Sequence, residues 1–146
     1  DLPLSRGLGD VYKRQIEDPF YEEDFDSFSL LKLKHEESVE IIGDDLICSN
    51  INLLNKAIKN RCVDGVIIKI NQCGTVSEAL ETINLAKKNN IKTILSARSG
   101  DTEDIFLSHL AVAWDVDMIK VGSFSRSERM AKWNELIRIE EKFRKF

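Results

Sequence analysis

Short apolar runs of strand length recur along the chain, each followed by a longer stretch with helical spacing. The runs are Val39 to Ile42, Val66 to Ile68 with Ile70, Thr93 to Leu95, and Met118 to Ile119 with Val121. Brief and rich in β-branched residues, they predict strands buried on both faces, as in a parallel sheet. The intervening stretches carry apolar residues three or four apart: Ile51, Leu54 and Ile58 in 51–60; Val76, Leu80, Ile83 and Ala86 in 75–90; Phe106, His109, Leu110 and Ala113 in 105–114. A last helix over about 127–145 bears Met130, Trp133, Leu136, Ile137 and Ile139 on its apolar side. Ser49 or Asn50, Thr75 with Glu78 three residues on, and Asp101 or Thr102 are the expected N-caps, the second with capping-box spacing.

Strand and helix alternating every 25 residues or so, roughly a βα unit, predict right-handed crossovers and an α/β fold with a parallel sheet. The residues at the strands' carboxyl ends suggest which kind of sheet. They are Glu17 in IEDP, Asp44 in IIGDD, Lys69 in VIIKIN, Arg98 and Ser99 in SARSG, and Lys120 in MIKVG. Any one charge past a buried strand is most often only the point where the chain reaches water. Five successive strand ends each delivering one favour a (β/α) barrel, whose active site is assembled from many strand ends. A doubly wound sheet would concentrate them at one switch point. Lys69 stands out because β-branched apolar residues flank it, where an unpaired ammonium is expensive to hold, as at a catalytic base.

Composition narrows the partners. The chain has 146 residues, 42% hydrophobic and 32% charged, with net charge −4 and its Lys and Arg dispersed. No basic stripe suits nucleic acid, and no apolar run approaches the length of a membrane helix. Cys48, Cys62 and Cys73 are odd in number and lack C-x-x-C spacing, so they read as reduced thiols serving as small core residues in a cytoplasmic protein. His35 and His109, with no second ligand at metal spacing, read as structural, and Trp114 and Trp133 as helix-packing aromatics. Residues 1–15 lack an initiator Met and fit neither period. They are expected to be a non-native or disordered tail, of the kind translated from sequencing-adapter readthrough, with a native flexible tail as the alternative. Residues 16–146 form the folded part.

IEDPF at 16–20, GDDL at 43–46, KINQCGTVSE at 69–78, SARSGDTED at 96–104, IKVGS at 119–123 and RSERMAKWNELIRIEE at 126–141 resemble, in order and spacing, motifs of the enolase family. The resemblance implies the C-terminal portion of a TIM-type barrel, about five strands with their helices. It also implies Mg²⁺-dependent reversible dehydration of 2-phosphoglycerate to phosphoenolpyruvate, in a cytoplasmic parent that is a homodimer or higher homo-oligomer. On it, Glu17 and Asp44 match two of three carboxylates holding Mg²⁺, ligands of the hard type that ion takes. Lys69 matches the general base, Lys120 the lysine that holds the substrate carboxylate, and Arg98 with Ser99 the phosphate-binding pair. Asp18 and Asp45, the neighbours of Glu17 and Asp44, are read as capping groups or as groups that support the ligands from behind, not as ligands themselves. The N-terminus of the helix after Asp101 and Thr102 is expected to strengthen anion binding. The third ligand and the general acid lie upstream, so the segment alone is expected to be inactive.

The sequence departs from the family at Ala97, where the motif has histidine, and at Cys73 and Val121, where isoleucine and threonine are usual. A methyl at 97 cannot hydrogen-bond to substrate. These departures open two alternatives: a divergent relative acting on a related phospho or phosphono acid, and a non-catalytic enolase-like binding protein.

Overall fold

The computed structural model describes residues 14–35 and 39–144. Five strands, β1 (Gln15–Glu17), β2 (Glu40–Gly43), β3 (Gly65–Ile68), β4 (Lys92–Ser96) and β5 (Met118–Lys120), form one sheet. Every neighbouring pair is parallel and the order is β1-β2-β3-β4-β5. Six helices accompany them: α1 (Phe25–His35), α2 (Ile51–Asn60), α3 (Ile70–Cys73), α4 (Val76–Lys88), α5 (Phe106–Ala113) and α6 (Ser127–Phe143). Strands in strict sequence order leave no switch point among the described residues, so the doubly wound alternative falls.

The sheet is strongly curled. In a flat sheet the first and fifth strands would lie about 19 Å apart, four spacings of about 4.8 Å. Here Gln15 of β1 reaches Met118 of β5, Nε2 to Sδ at 3.6 Å, and Lys120 of β5 reaches Glu17 of β1. Such curvature is that of a partial barrel. Alternation along the strands divides the apolar residues accordingly. Ile41, Val66, Ile68 and Leu95 join the large core under the helices, whereas Ile42, Ile67 and Ile94 pack with Met118 in a separate cluster.

Local chemistry accounts for most element boundaries. Asn50 caps α2 by accepting the amides of Asn52 and Leu53, and Thr75 caps α4 by accepting that of Glu78. The Glu78 carboxylate accepts the Thr75 hydroxyl at 2.7 Å, a variant of the capping box. α1, under a charged and weakly patterned segment, and the four-residue α3 were not foreseen. Ile70, read as an extension of the strand, instead opens α3.

Several expectations are corrected. α5 starts at Phe106, with Ile105 at its cap and no side-chain cap bond; Asp101 and Thr102 occupy the preceding turn. The buried face of α5 is Leu107, Ser108, Leu110 and Ala111, leaving Phe106 exposed and turning His109 outward to Glu135 on α6. On α6 the buried stripe is Lys132, Glu135 and Ile139, while Ile137 is exposed. The polar members were invisible to a search for apolar periodicity, although they keep helical spacing. Ile51 and Val76 are also exposed. Of the thiols Cys62 is fully buried and Cys73 half-buried, and burial raises the pKa of both; Cys48 is exposed. Gln15 pairs with Glu40, so β1 begins one residue before the expected boundary, as an exposed strand edge. The expectation for the preceding tail, as far as Lys13, lies outside the described residues.

Candidate active site

All five chemistry-bearing strand ends lie along one rim. Gly43 ends β2 in a tight space: a Cβ there would sit 2.9 Å from Ile47 Cγ1 and 3.2 Å from Val63 Cγ1. Lacking one, the chain turns at once, and the Asp44 carbonyl accepts Ile47 N at 3.2 Å and Cys48 N at 2.8 Å. Asp18, just beyond β1, ties its own strand to this turn. Its carboxylate accepts the amides of Asp44 at 3.0 Å and Asp45 at 2.6 Å, which is the capping role expected of it. Both its oxygens are therefore engaged, although one of them lies with an oxygen each of Asp44 and Asp45 in a cluster spanning no more than 4.8 Å.

Lys69 leaves β3 as the N-cap residue of α3, its amide donating to Ser49 Oγ at 2.8 Å. Ser49 in turn donates to Gln72 Oε1 at 2.6 Å, fixing strand end and turn together. The Lys69 side chain is 12% exposed and the Asp44 side chain 8%, with Nζ 2.7 Å from Oδ2 and 2.6 Å from Oδ1. The apolar flanks of Lys69 make an unpaired ammonium expensive, and the structure supplies Asp44 as its counter-ion. Only the contact to Oδ2 has hydrogen-bond geometry, so Asp44 Oδ1 is buried without a donor. Lys120 Nζ lies 2.7 Å from both oxygens of Glu17 and 3.9 Å from Asp44 Oδ2. Lys69, Asp44, Lys120 and Glu17 thus form one alternating chain of charge.

Arg98 and Ser99 stand apart from it. They are exposed, with Asp101 N donating to the Arg98 carbonyl at 3.1 Å. Among the described residues the guanidinium has no hydrogen bond or ion pair. It lines a cavity of about 310 Å³ with Asn71, Ser96, Asp101 and Lys132, whereas Glu17 and Lys120 line another, of about 400 Å³, with Ile67, Ile94 and Trp133. The expected helix N-terminus behind Arg98 is absent, because α5 begins eight residues later. Ala97 sits between the two groups, its amide bonded to Lys120 O at 2.9 Å and its methyl packed on the core.

Two arrangements escaped sequence reasoning. Lys132, 1% exposed, enters the wall of the Arg98 cavity from α6. The Ser49–Gln72 bond that seats Lys69 joins Ser49, read only as a possible helix cap, to Gln72, which carries no signal of its own.

A sequence-ordered parallel sheet, curled, with its chemistry at the carboxyl ends, defines a TIM-barrel type of protein. The model of the enolase C-terminal TIM barrel domain matches residues 9–145. The chain is 47% identical over 128 residues to the enolase of Neorickettsia sennetsu and 48% identical over 132 residues to that of Pelagibacter ubique, covering 88% and 90% of this chain. The enolase of Ureaplasma parvum is 47% identical over 129 residues. The chain belongs to the enolase family. It spans 31%, 31% and 29% of those three relatives' lengths.

Proposed function

We propose that this chain is the C-terminal barrel portion of an enolase that catalyses the reversible, Mg²⁺-dependent dehydration of 2-phosphoglycerate to phosphoenolpyruvate in the cytoplasm. The carrying observation is the alternating chain Lys69–Asp44–Lys120–Glu17 at the carboxyl ends of four strands. Its residues suit a divalent cation: two carboxylates already converge on one ammonium, and Asp44 Oδ1 is buried with no donor. Glu17 and Asp44 would hold the Mg²⁺, a hard cation that takes oxygen ligands. When bound, it stabilises negative charge developing on the substrate carboxylate.

The chain's own residues divide the remaining work. Lys69 Nζ, as the neutral amine, would take the proton alpha to the carboxylate and become the ammonium that faces Asp44 Oδ2 at 2.7 Å, while the hydroxyl would leave as water on a proton from the general acid upstream. Lys120 Nζ orients that carboxylate. Arg98, a planar fork without a partner among the described residues, and Ser99 receive the phosphate. The partner is thus a small phosphorylated acid, neither nucleic acid nor membrane. Among the described residues no helix is long and apolar enough to cross a membrane. The full-length polypeptide is proposed to work as a homodimer or higher homo-oligomer, and the 146-residue chain alone to be inactive.

Ala97 favours a second reading, in which the pocket takes a related phospho or phosphono acid or has lost turnover altogether. Measuring kcat/KM for 2-phosphoglycerate with the full-length polypeptide decides between them. Turnover that EDTA abolishes and Mg²⁺ restores is expected; absent turnover at saturating Mg²⁺ would overturn the principal reading.

A further inference from the structure

Lys132 carries the inference. It is 1% exposed, on the buried stripe of α6, and its ammonium reaches not another helix but the loop that follows β4. Nζ donates to Thr102 O at 2.7 Å and to Glu128 O at 3.1 Å, and lies 3.7 Å from Asp101 Oδ2. The same residue's carbonyl accepts the hydroxyl of fully buried Ser108 at 2.9 Å, joining α6 to α5. Burying an ammonium is expensive, and an apolar side chain of similar length would fill the space without that cost. What the ammonium supplies, and an apolar chain cannot, is a fixed position for the loop.

That loop presents Arg98 and Ser99. Asp101 N closes a turn on Arg98 O at 3.1 Å, so a residue that holds Asp101 and Thr102 also holds the turn carrying the guanidinium. Among the described residues the Arg98 side chain has no partner, and Arg98 and Lys132 line the same cavity of about 310 Å³. We propose that Lys132 is a positioning residue for anion binding: through Thr102 and Asp101 it sets the 98–102 turn so that Arg98 and Ser99 meet the substrate phosphate in register. This rests on the proposed reading that Arg98 and Ser99 bind phosphate.

The test uses the full-length polypeptide, with hydrogen exchange of residues 98–104 and steady-state kinetics on 2-phosphoglycerate for Lys132→Met and Arg98→Ala. Lys132→Met is expected to speed exchange in 98–104 while β3 and β4 keep theirs. It should also raise KM about tenfold to a hundredfold, the scale of a misplaced binding group, with kcat changed far less. Unchanged exchange in the loop, acceleration spread equally over β3 and β4, or an unchanged KM where Arg98→Ala raises it would overturn the proposal. If Arg98→Ala leaves KM unaltered, the phosphate reading fails, and loop exchange alone decides whether Lys132 positions the turn. Should Lys132→Met not fold, Asp101→Asn weakens the ionic arm at a side chain 35% exposed. It should raise KM about threefold or more, and parent-like KM and loop exchange would overturn the proposal.

Discussion

The two ends of the sheet treat charge in opposite ways. At the amino ends each carboxylate is consumed locally. Asp64 accepts Ile41 N at 2.9 Å and pairs with Lys32; Glu40 pairs with Lys92 and accepts Gln15 Nε2; Asp117 accepts the amide and hydroxyl of Thr93. Lys92, then Gln15, hold Glu40 below its ordinary pKa, and the Thr93 amide does so for Asp117. At the carboxyl ends Glu17 pairs with Lys120 and Asp44 with Lys69, but among the described residues one oxygen of Asp44 lacks a donor and Arg98 lacks a partner. Charges satisfied at one rim stabilise the barrel wall. Those left incomplete at the other are available to a ligand, the division expected between the bottom and top of a barrel.

The most forceful way to break this comparison is to exchange one lysine from each rim. In the full-length polypeptide, on the proposed function, Lys69→Ala should lower kcat/KM for 2-phosphoglycerate by about 10²- to 10⁴-fold, the scale of a lost general base. It also leaves Asp44 buried without its ammonium, a loss of about 3–5 kcal/mol when a pair is broken on one side, so far-UV circular dichroism in excess Mg²⁺ must accompany the assay. Lys32→Met, at the amino end, should leave kcat/KM near that of the parent. Equal loss of activity in both would show that the rims are not functionally distinct.

Ala97 tests the top rim by addition. In the full-length polypeptide, restoring one charge-assisted hydrogen bond with Ala97→His should raise kcat/KM for 2-phosphoglycerate about tenfold to a hundredfold, or roughly 1.5 to 3 kcal/mol. A parent with robust turnover that the substitution fails to raise would show histidine to be dispensable here. A fall in activity on a different acid would place the methyl in a reshaped pocket.

At the bottom rim the readout is stability. Asp64→Ala removes the acceptor of Ile41 N and the counter-ion of Lys32. It should cost about 1–3 kcal/mol, the penalty for partly buried groups left unpaired, seen as a lower urea midpoint with kcat/KM retained.

The rim was legible in the sequence because a parallel barrel wall makes a simple rule. Ile41, Ile68 and Leu95 are apolar and β-branched or bulky, and the first charge after each run falls where the strand emerges. The outer layer was less legible. The sequence pattern puts His109 and Phe106 on the inner face of α5 because the small polar Ser108, which is buried, carries no apolar signal, and start signals such as Asp and Thr also make ordinary turns, as Asp101 and Thr102 do. Lys132 and Glu135 were missed because a polar residue on a buried stripe has no signature until its partners, Thr102 and Arg138, are placed in space. Lys69 shows the same limit. Its apolar setting was readable, but its counter-ion, 25 residues away, was not.

The smallest effect lies with Asp117. Its folded-state pKa is held below the ordinary carboxylate value chiefly by the Thr93 amide, so folding favours the ionised form. The stabilisation is therefore complete above the unfolded-state pKa, near 3.8, and is lost as pH falls through the lower folded value. Water screens this exposed carboxylate, so the contribution should be under about 1 kcal/mol. Asp117→Asn should flatten that share of the acid limb of stability and leave the urea midpoint at pH 7 only slightly reduced. A variant whose stability declines below pH 3.8 as steeply as the parent's would remove Asp117 from the account. The acid sensitivity of the bottom rim would then rest on Glu40, whose pKa is lowered in the same direction by Lys92 and whose substitution by Gln is the corresponding measurement.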